Sequence, residues 1–169
     1  MPVLRTARLT LDRITADDAE FILALLTEPS FLRYIGDRGV QSVDDARRYI
    51  DEGPVASYAA NGFGLYLVRL AESGTPIGMC GLLKRATLQD VDVGFALRPA
   101  YWGNGYARES ALAVMQHARD DFGLTRLAAI VSPDNQSSIS LLEALGLRFE
   151  ETRQLTIDTE AVQVFGREL

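Results

Sequence analysis

Between residues 90 and 131 the chain runs from apolar alternation to a glycine loop, then to helical periodicity and a second apolar run, and this succession narrows the choice of fold most. "DVDVGFAL" (90–97) reads as a strand. Val91, Val93, Phe95 and Leu97 fill one face, and Asp92, Gly94 and Ala96 leave the other nearly bare. "YWGNGYARES" (101–110) then sets Gly103 and Gly105 around Asn104 where a helix over 105–122 begins. That helix carries Ala107, Ala111, Val114, Met115, Ala118 and Phe122 at helical spacing, and Gly123 closes it. "LTRLAAIV" (124–131) is apolar enough for burial on both faces of a sheet.

A Gly-x-Gly at a helix start leaves backbone N–H groups free and lets a ligand approach the main chain. A dinucleotide fingerprint is excluded because Arg108 stands where it needs a small residue. A phosphate-loop NTPase is excluded because no Gly-Lys-Ser/Thr follows. Two readings remain for Gly103, Asn104, Gly105, Tyr106, Ala107 and Arg108: a plain glycine-rich turn, or a cradle of N–H groups for a pyrophosphate, with Arg108 adding charge.

The rest of the chain reads as a single domain over 1–169, with neither repeat nor linker. "ARLTLDRI" (7–14) is a first strand, and Thr15 opens a helix with Ile22, Leu23 and Leu26 buried and Pro29 ending it. "SFLRYIG" is a helical turn closed by Gly36, and Ser42 with Asp45 forms a capping box for a helix through "VDDARRYIDE". Gly53-Pro54 breaks that helix, and a further helical piece runs to Asn61-Gly62. "GFGLYLVRLA" (62–71) and "PIGMCGLLKR" (76–85) make a hairpin, "NQSSISLLEAL" is a helix ending at Gly146, and "LRFEETRQLTI" and "EAVQVFGREL" are closing strands. The class is α+β around a mixed sheet of about seven strands.

Composition removes several functions. A net charge of −6 disfavours nucleic acid, whose phosphates demand a basic surface, and suits a cationic amine. One cysteine, Cys80, and one histidine, His117, exclude disulfides and zinc sites of Cys/His type, so no metal is expected. A serine triad would have to use His117, which reads instead as a helix-surface residue, and no Gly-x-Ser-x-Gly elbow exists. The absence of a membrane-length apolar run or a signal-peptide core points to the cytoplasm.

"YWGNGYA", "TARLTLDRITADDAEFI" and "NQSSISLLEALGL", in that arrangement along nearly the whole chain, resemble the GCN5-related N-acetyltransferase (GNAT) superfamily, and within it the branch of Rim-type ribosomal-protein alanine N-terminal acetyltransferases. Gly105 and Ala107 match the end of the family's Gln/Arg-x-x-Gly-x-Gly/Ala signature, while Trp102 replaces its Gln/Arg.

The resemblance implies a fold with helices on both faces of the sheet and a splay between strands 90–97 and 124–131, into which the pantetheine arm of acetyl-CoA inserts. It implies that a backbone N–H around Phe95, Ala96 and Leu97 meets the thioester carbonyl, that Asn135 contacts the pantetheine (or caps its helix), and that Ser138 lies near the pyrophosphate arm. Leu142 occupies the position of the family's tyrosine acid, so Ser140 or a water is left to protonate the thiolate, or the thiolate leaves without a dedicated acid. Asp92, on the bare strand face, is the candidate base; an exposed strand carboxylate is the other reading. Phe31, Tyr34 and Tyr49 are candidate cleft walls, and Asp158 and Glu160 candidate attractors of a cationic amine.

The implied activity is direct acetyl transfer from acetyl-CoA to a primary amine, either a protein N-terminus or a small molecule, by a monomer or homodimer. A non-catalytic acyl-CoA sensor is the alternative. Neutralising an α-amine at pH 7 costs only about 1–1.5 kcal/mol, against about 4–5 for a lysine, which favours the former as acceptor.

Overall fold

The computed structural model describes residues 2–169, and within them eight strands form one mixed sheet in the order β1-β2-β3-β4-β5-β6-β8-β7. The strands are β1 (Leu4–Arg5), β2 (Leu9–Arg13), β3 (Leu65–Leu70), β4 (Pro76–Leu83), β5 (Asp92–Leu97), β6 (Arg126–Val131), β7 (Arg148–Arg153) and β8 (Val162–Glu168). The helices are α1 (Ala19–Leu26), α2 (Pro29–Tyr34), α3 (Val43–Ile50), α4 (Ala56–Asn61), α5 (Tyr106–Phe122) and α6 (Gln136–Ala144). The sheet gains one strand over the expected set, because the two-residue β1 is too short to show a period.

Alternation along β5 distributes the core between two layers. Val91, Val93 and Leu97 pack with Ala111, Val114, Met115 and Ala118 of α5 and with Ile139 and Leu142 of α6. Ala96 faces the other side, where Leu67 and Met79 meet Ile22 and Leu25 of α1 and Ala46 and Ile50 of α3. Helices therefore cover both faces. On the α1–α3 side of β6 and β8, Ala128 and Val164 form a small apolar cluster with the loop residues Leu88 and Leu155. That thin cover leaves room for a cleft.

Several local expectations change. Pro29 does not end α1, which stops at Thr27; it opens α2 at the first position, where its missing N–H is harmless. Leu25 rather than Leu23 completes the buried stripe of α1. Gly53-Pro54 does not break the chain's helical course: a π-helical segment, Asp51–Val55, carries α3 directly into α4. The wider turn accommodates the carbonyl that Pro54 cannot bond. Ser42 caps α3 at the Asp45 N–H, but the Asp45 carboxylate accepts from Gln41 instead of completing the box. His117 lies on the buried face of α5, with 7% of its surface exposed. The tertiary partner that draws it inward, Tyr66 on β3, is invisible in a helical pattern.

Candidate active site

Among the described residues the only parallel neighbours in the sheet, β5 and β6, pair at a single register, Asp92 opposite Ala128. The Ala128 N–H donates to the Val91 carbonyl at 2.9 Å, and beyond that point the strands part. Backbone alternation sends the N–H groups of Phe95 and Leu97 toward the gap and that of Ala96 toward β4, where Ala96 stands opposite Met79. The expected splay is present between the expected strands.

A cavity of about 160 Å³ opens at this parting. Val93 to Ala96 of β5 and Ala129 to Val131 of β6 form its floor. Asn135, Ser138 and Leu142 of α6 bound one side, since spacings of three and seven residues share a helix face. Phe31, Tyr34 and Tyr49 bound the other, as expected of cleft walls. Gly94 keeps the floor low: a Cβ there would meet Leu83 Cδ1 at 3.2 Å.

Asp92 sits where the strands begin to part and is 1% exposed, so it is not a solvated strand carboxylate. Arg85 Nε donates to its Oδ1 at 3.0 Å. Burial pushes the Asp92 carboxyl up to about 6, although the adjacent Arg85 guanidinium pulls it down. A carboxylate ionised just below neutral pH, partly desolvated and facing a cavity, suits a proton acceptor.

The glycine loop lies past the C-terminal end of β5 and does not line the cavity. Gly103 and Gly105 both adopt left-handed backbone, with φ of 78° and 82°, where a side chain would be strained. The N–H groups of residues 103 to 108 have no acceptor among the described residues. The Asn104 side chain is spent on the loop itself, donating to the Tyr101 and Trp102 carbonyls. Trp102 serves the architecture of the loop, because its indole N–H donates to the Leu97 carbonyl at 2.9 Å and ties the loop to the end of β5. A Gln or Arg there would also offer an N–H donor, so the departure from the family pattern preserves a donor. Arg108 is exposed and pairs with no carboxylate among the described residues.

Asn135 caps α6 by accepting the Ser138 N–H. Ser140 stands on the outer face of α6, exposed and bonded by Gln136, and is absent from the cavity wall. Two residues from Ser138 is about 200° around a helix, so the two hydroxyls cannot share a site. Asp158 and Glu160 lie exposed in the loop before β8, and only Val162 reaches the cavity from there.

Sequence reasoning missed three arginines. Arg85 lies two residues past β4 and reaches Asp92 across the β4–β5 connection. Arg38 joins the cavity from the loop between α2 and α3. Arg8 is held by Glu109 at 2.8 Å, lies over Tyr106, and brings a guanidinium nitrogen to 3.3 Å from where a Gly105 Cβ would stand. None has a local motif; each is recruited by the fold.

Comparison with known proteins agrees with this architecture. Residues 8–148 match the family described as acetyltransferase (GNAT) domain. The chain belongs to the GNAT acetyltransferases. An uncharacterized N-acetyltransferase of Bacillus subtilis, YoaA, is 30% identical over 151 residues, covering 88% of this chain and 84% of that protein. The crystal structure of an acetyltransferase from Agrobacterium tumefaciens shares 26% identity with a TM-score of 0.83, covering 99% of this chain and 94% of that one. RimL, a ribosomal L7/L12 α-N-protein acetyltransferase solved with coenzyme A, has the same fold at 16% identity, with a TM-score of 0.84 and coverage of 100% of this chain and 98% of that one. This GNAT protein is accordingly an acyltransferase, with an eight-stranded sheet in place of the expected seven or so. Among the described residues no cluster of metal-ligating side chains occurs and no helix is long and apolar enough to cross a membrane.

Proposed function

We propose that this acyltransferase moves an acetyl group from acetyl-CoA to a primary amine by direct attack, with Asp92 as the base. The observation that carries the reading is a buried carboxylate where β5 and β6 begin to part, lining the same cavity as Asn135 and Ser138. Acetyl-CoA as substrate fits the two ends of the site. The free N–H groups of Gly103 to Arg108 and the nearby Arg8 suit its pyrophosphate. The gap beside β5 suits the pantetheine arm, with Asn135 beside it.

In the reaction the ammonium gives a proton to Asp92 and the neutral nitrogen attacks the thioester carbon. The N–H of Phe95 or Leu97 receives the developing oxyanion. The new C–N bond forms as the C–S bond breaks, and the nitrogen's second proton passes to the thiolate, which leaves toward α6 as the thiol. Ser138, on the cavity wall, is the hydroxyl placed to meet it, with Ser140 facing away. Magnitudes favour an α-amine. Moving a proton from a group of pKa near 8 to one near 6 is uphill by about 2.7 kcal/mol, whereas a lysine would require about 6.

Melting curves with acetyl-CoA test the binding half. At 100 times the dissociation constant, ligand adds about 2.7 kcal/mol of stability, and Gly105→Val removes most of the shift. Free thiol released in the presence of an amine tests the transfer half. No shift with acetyl-CoA, or no thiol released with any amine, overturns the reading.

A further inference from the structure

The protein carries a net charge of −6, yet the acceptor side of its cavity is cationic. Arg38 and Arg85 stand there against the single carboxylate of Asp92. Arg85 spends only Nε on Asp92, at 3.0 Å, and its two terminal nitrogens have no acceptor among the described residues. Arg38 has no carboxylate within ion-pair distance among the described residues. Both arginines line the cavity together with Tyr49: burial raises the Tyr49 phenol, and the charges of Arg38 and of Arg85 both act against that rise.

We infer that the acceptor is an α-amino acid, whose amine is deprotonated by Asp92 while its carboxylate is held by Arg85 and Arg38. This rests on the reading of Asp92 as the base of amine acetylation. The geometry is short-range. A carboxylate on the free end of the Arg85 fork makes charge-assisted bonds of about 2.8 Å. The amine, one carbon away, then lies beside the Asp92 oxygen that the same fork already holds. An amine with no anion would bring its ammonium into a cavity whose lining already sets two guanidinium groups against one carboxylate. Phe31, Ile35 and Met79 make the remaining wall apolar, so the side chain accommodated there is apolar. The coenzyme's phosphates do not compete for this pair, because the glycine loop stands outside the cavity.

The test compares leucine, methionine and phenylalanine with their amides, which keep the amine and lose the charge. Thiol release gives kcat/KM, and calorimetric titration of the coenzyme A-saturated protein gives the acceptor's dissociation constant without turnover. At least one acid is expected to exceed its amide tenfold or more in both. Arg38→Met is expected to shrink that ratio at least fivefold while the dissociation constant for coenzyme A stays within twofold. Amides that match or exceed the acids, acids that do not bind, or a ratio untouched by Arg38→Met with weakened coenzyme A binding each overturn the inference. Acetylation of the amides alone would do so while leaving the acetyltransferase reading intact. Acids that bind tenfold tighter with no thiol release from any amine would support the carboxylate pocket and sink the catalytic reading.

Discussion

Two buried polar assemblies face opposite layers of the sheet, and they differ in how completely they are satisfied. On the α5 side, His117 Nε2 meets the Tyr66 hydroxyl at 3.0 Å and Nδ1 meets Asp121 at 2.5 Å, with Phe122 edge-on at 4.8 Å. Tyr58 stacks on Tyr66 and takes the Ile14 N–H at 2.9 Å. Every ring nitrogen there has a partner, and none of these residues lines the cavity. On the α1–α3 side, Asp92 has one guanidinium contact and faces open volume, with spare donors on Arg85. A closed network stabilises and positions; an incompletely satisfied one is available for chemistry. Both contain a titratable group that a sequence search for catalysis would flag, and only the surroundings separate them.

The largest effect expected to break this contrast is kinetic. Asp92→Asn should lower kcat/KM roughly 100- to 1,000-fold and abolish the limb of the pH profile near 6, while the acetyl-CoA melting shift persists. A full rate in that variant would place the two assemblies in one class.

Next comes the pH dependence of stability. The folded state holds the Asp92 proton more tightly than the unfolded state, because burial raises its pKa from 3.8 to about 6. The folded form therefore binds more protons across that window, and stability from this group is lost as pH rises from 3.8 to about 6. The total is about 3 kcal/mol, read as the difference between wild type and Asp92→Asn in urea unfolding at pH 4 and pH 7. Equal slopes in the two proteins would show that Asp92 is not desolvated.

The smallest effect sits on the closed assembly. His117→Leu leaves the buried Tyr66 hydroxyl without its imidazole partner and should cost about 2 kcal/mol of stability. Turnover of the folded variant should stay within a few-fold of wild type. A loss of rate as large as that of Asp92→Asn would give His117 a role in the reaction.

Most of the fold was legible because its signals are local. Period two at 90–97 and the helical period at 105–122 are properties of consecutive residues, and Gly123 and Gly146 mark helix ends through left-handed backbone. The misreadings occurred where a local rule met a longer-range alternative. Pro54 was rescued by a π turn, and His117 was drawn inward by a strand 51 residues away. The site was half legible. Asp92, Asn135, Ser138 and the cleft walls lie on elements whose faces the pattern defines. Arg85, Arg38 and Arg8 come from loops or from a distant hairpin, and no spacing announces them.

The sequence by itself determined the order of elements, the glycine loop that frees a row of N–H groups, and a bare strand face with a carboxylate on it. Tertiary structure alone decided that this carboxylate is buried rather than solvated. It also decided that Ser138 and not Ser140 faces the gap, and that an acidic protein lines its cavity with two arginines. The reason is physical: periodicity records which face a residue occupies, whereas desolvation and charge pairing depend on what the rest of the chain brings opposite that face.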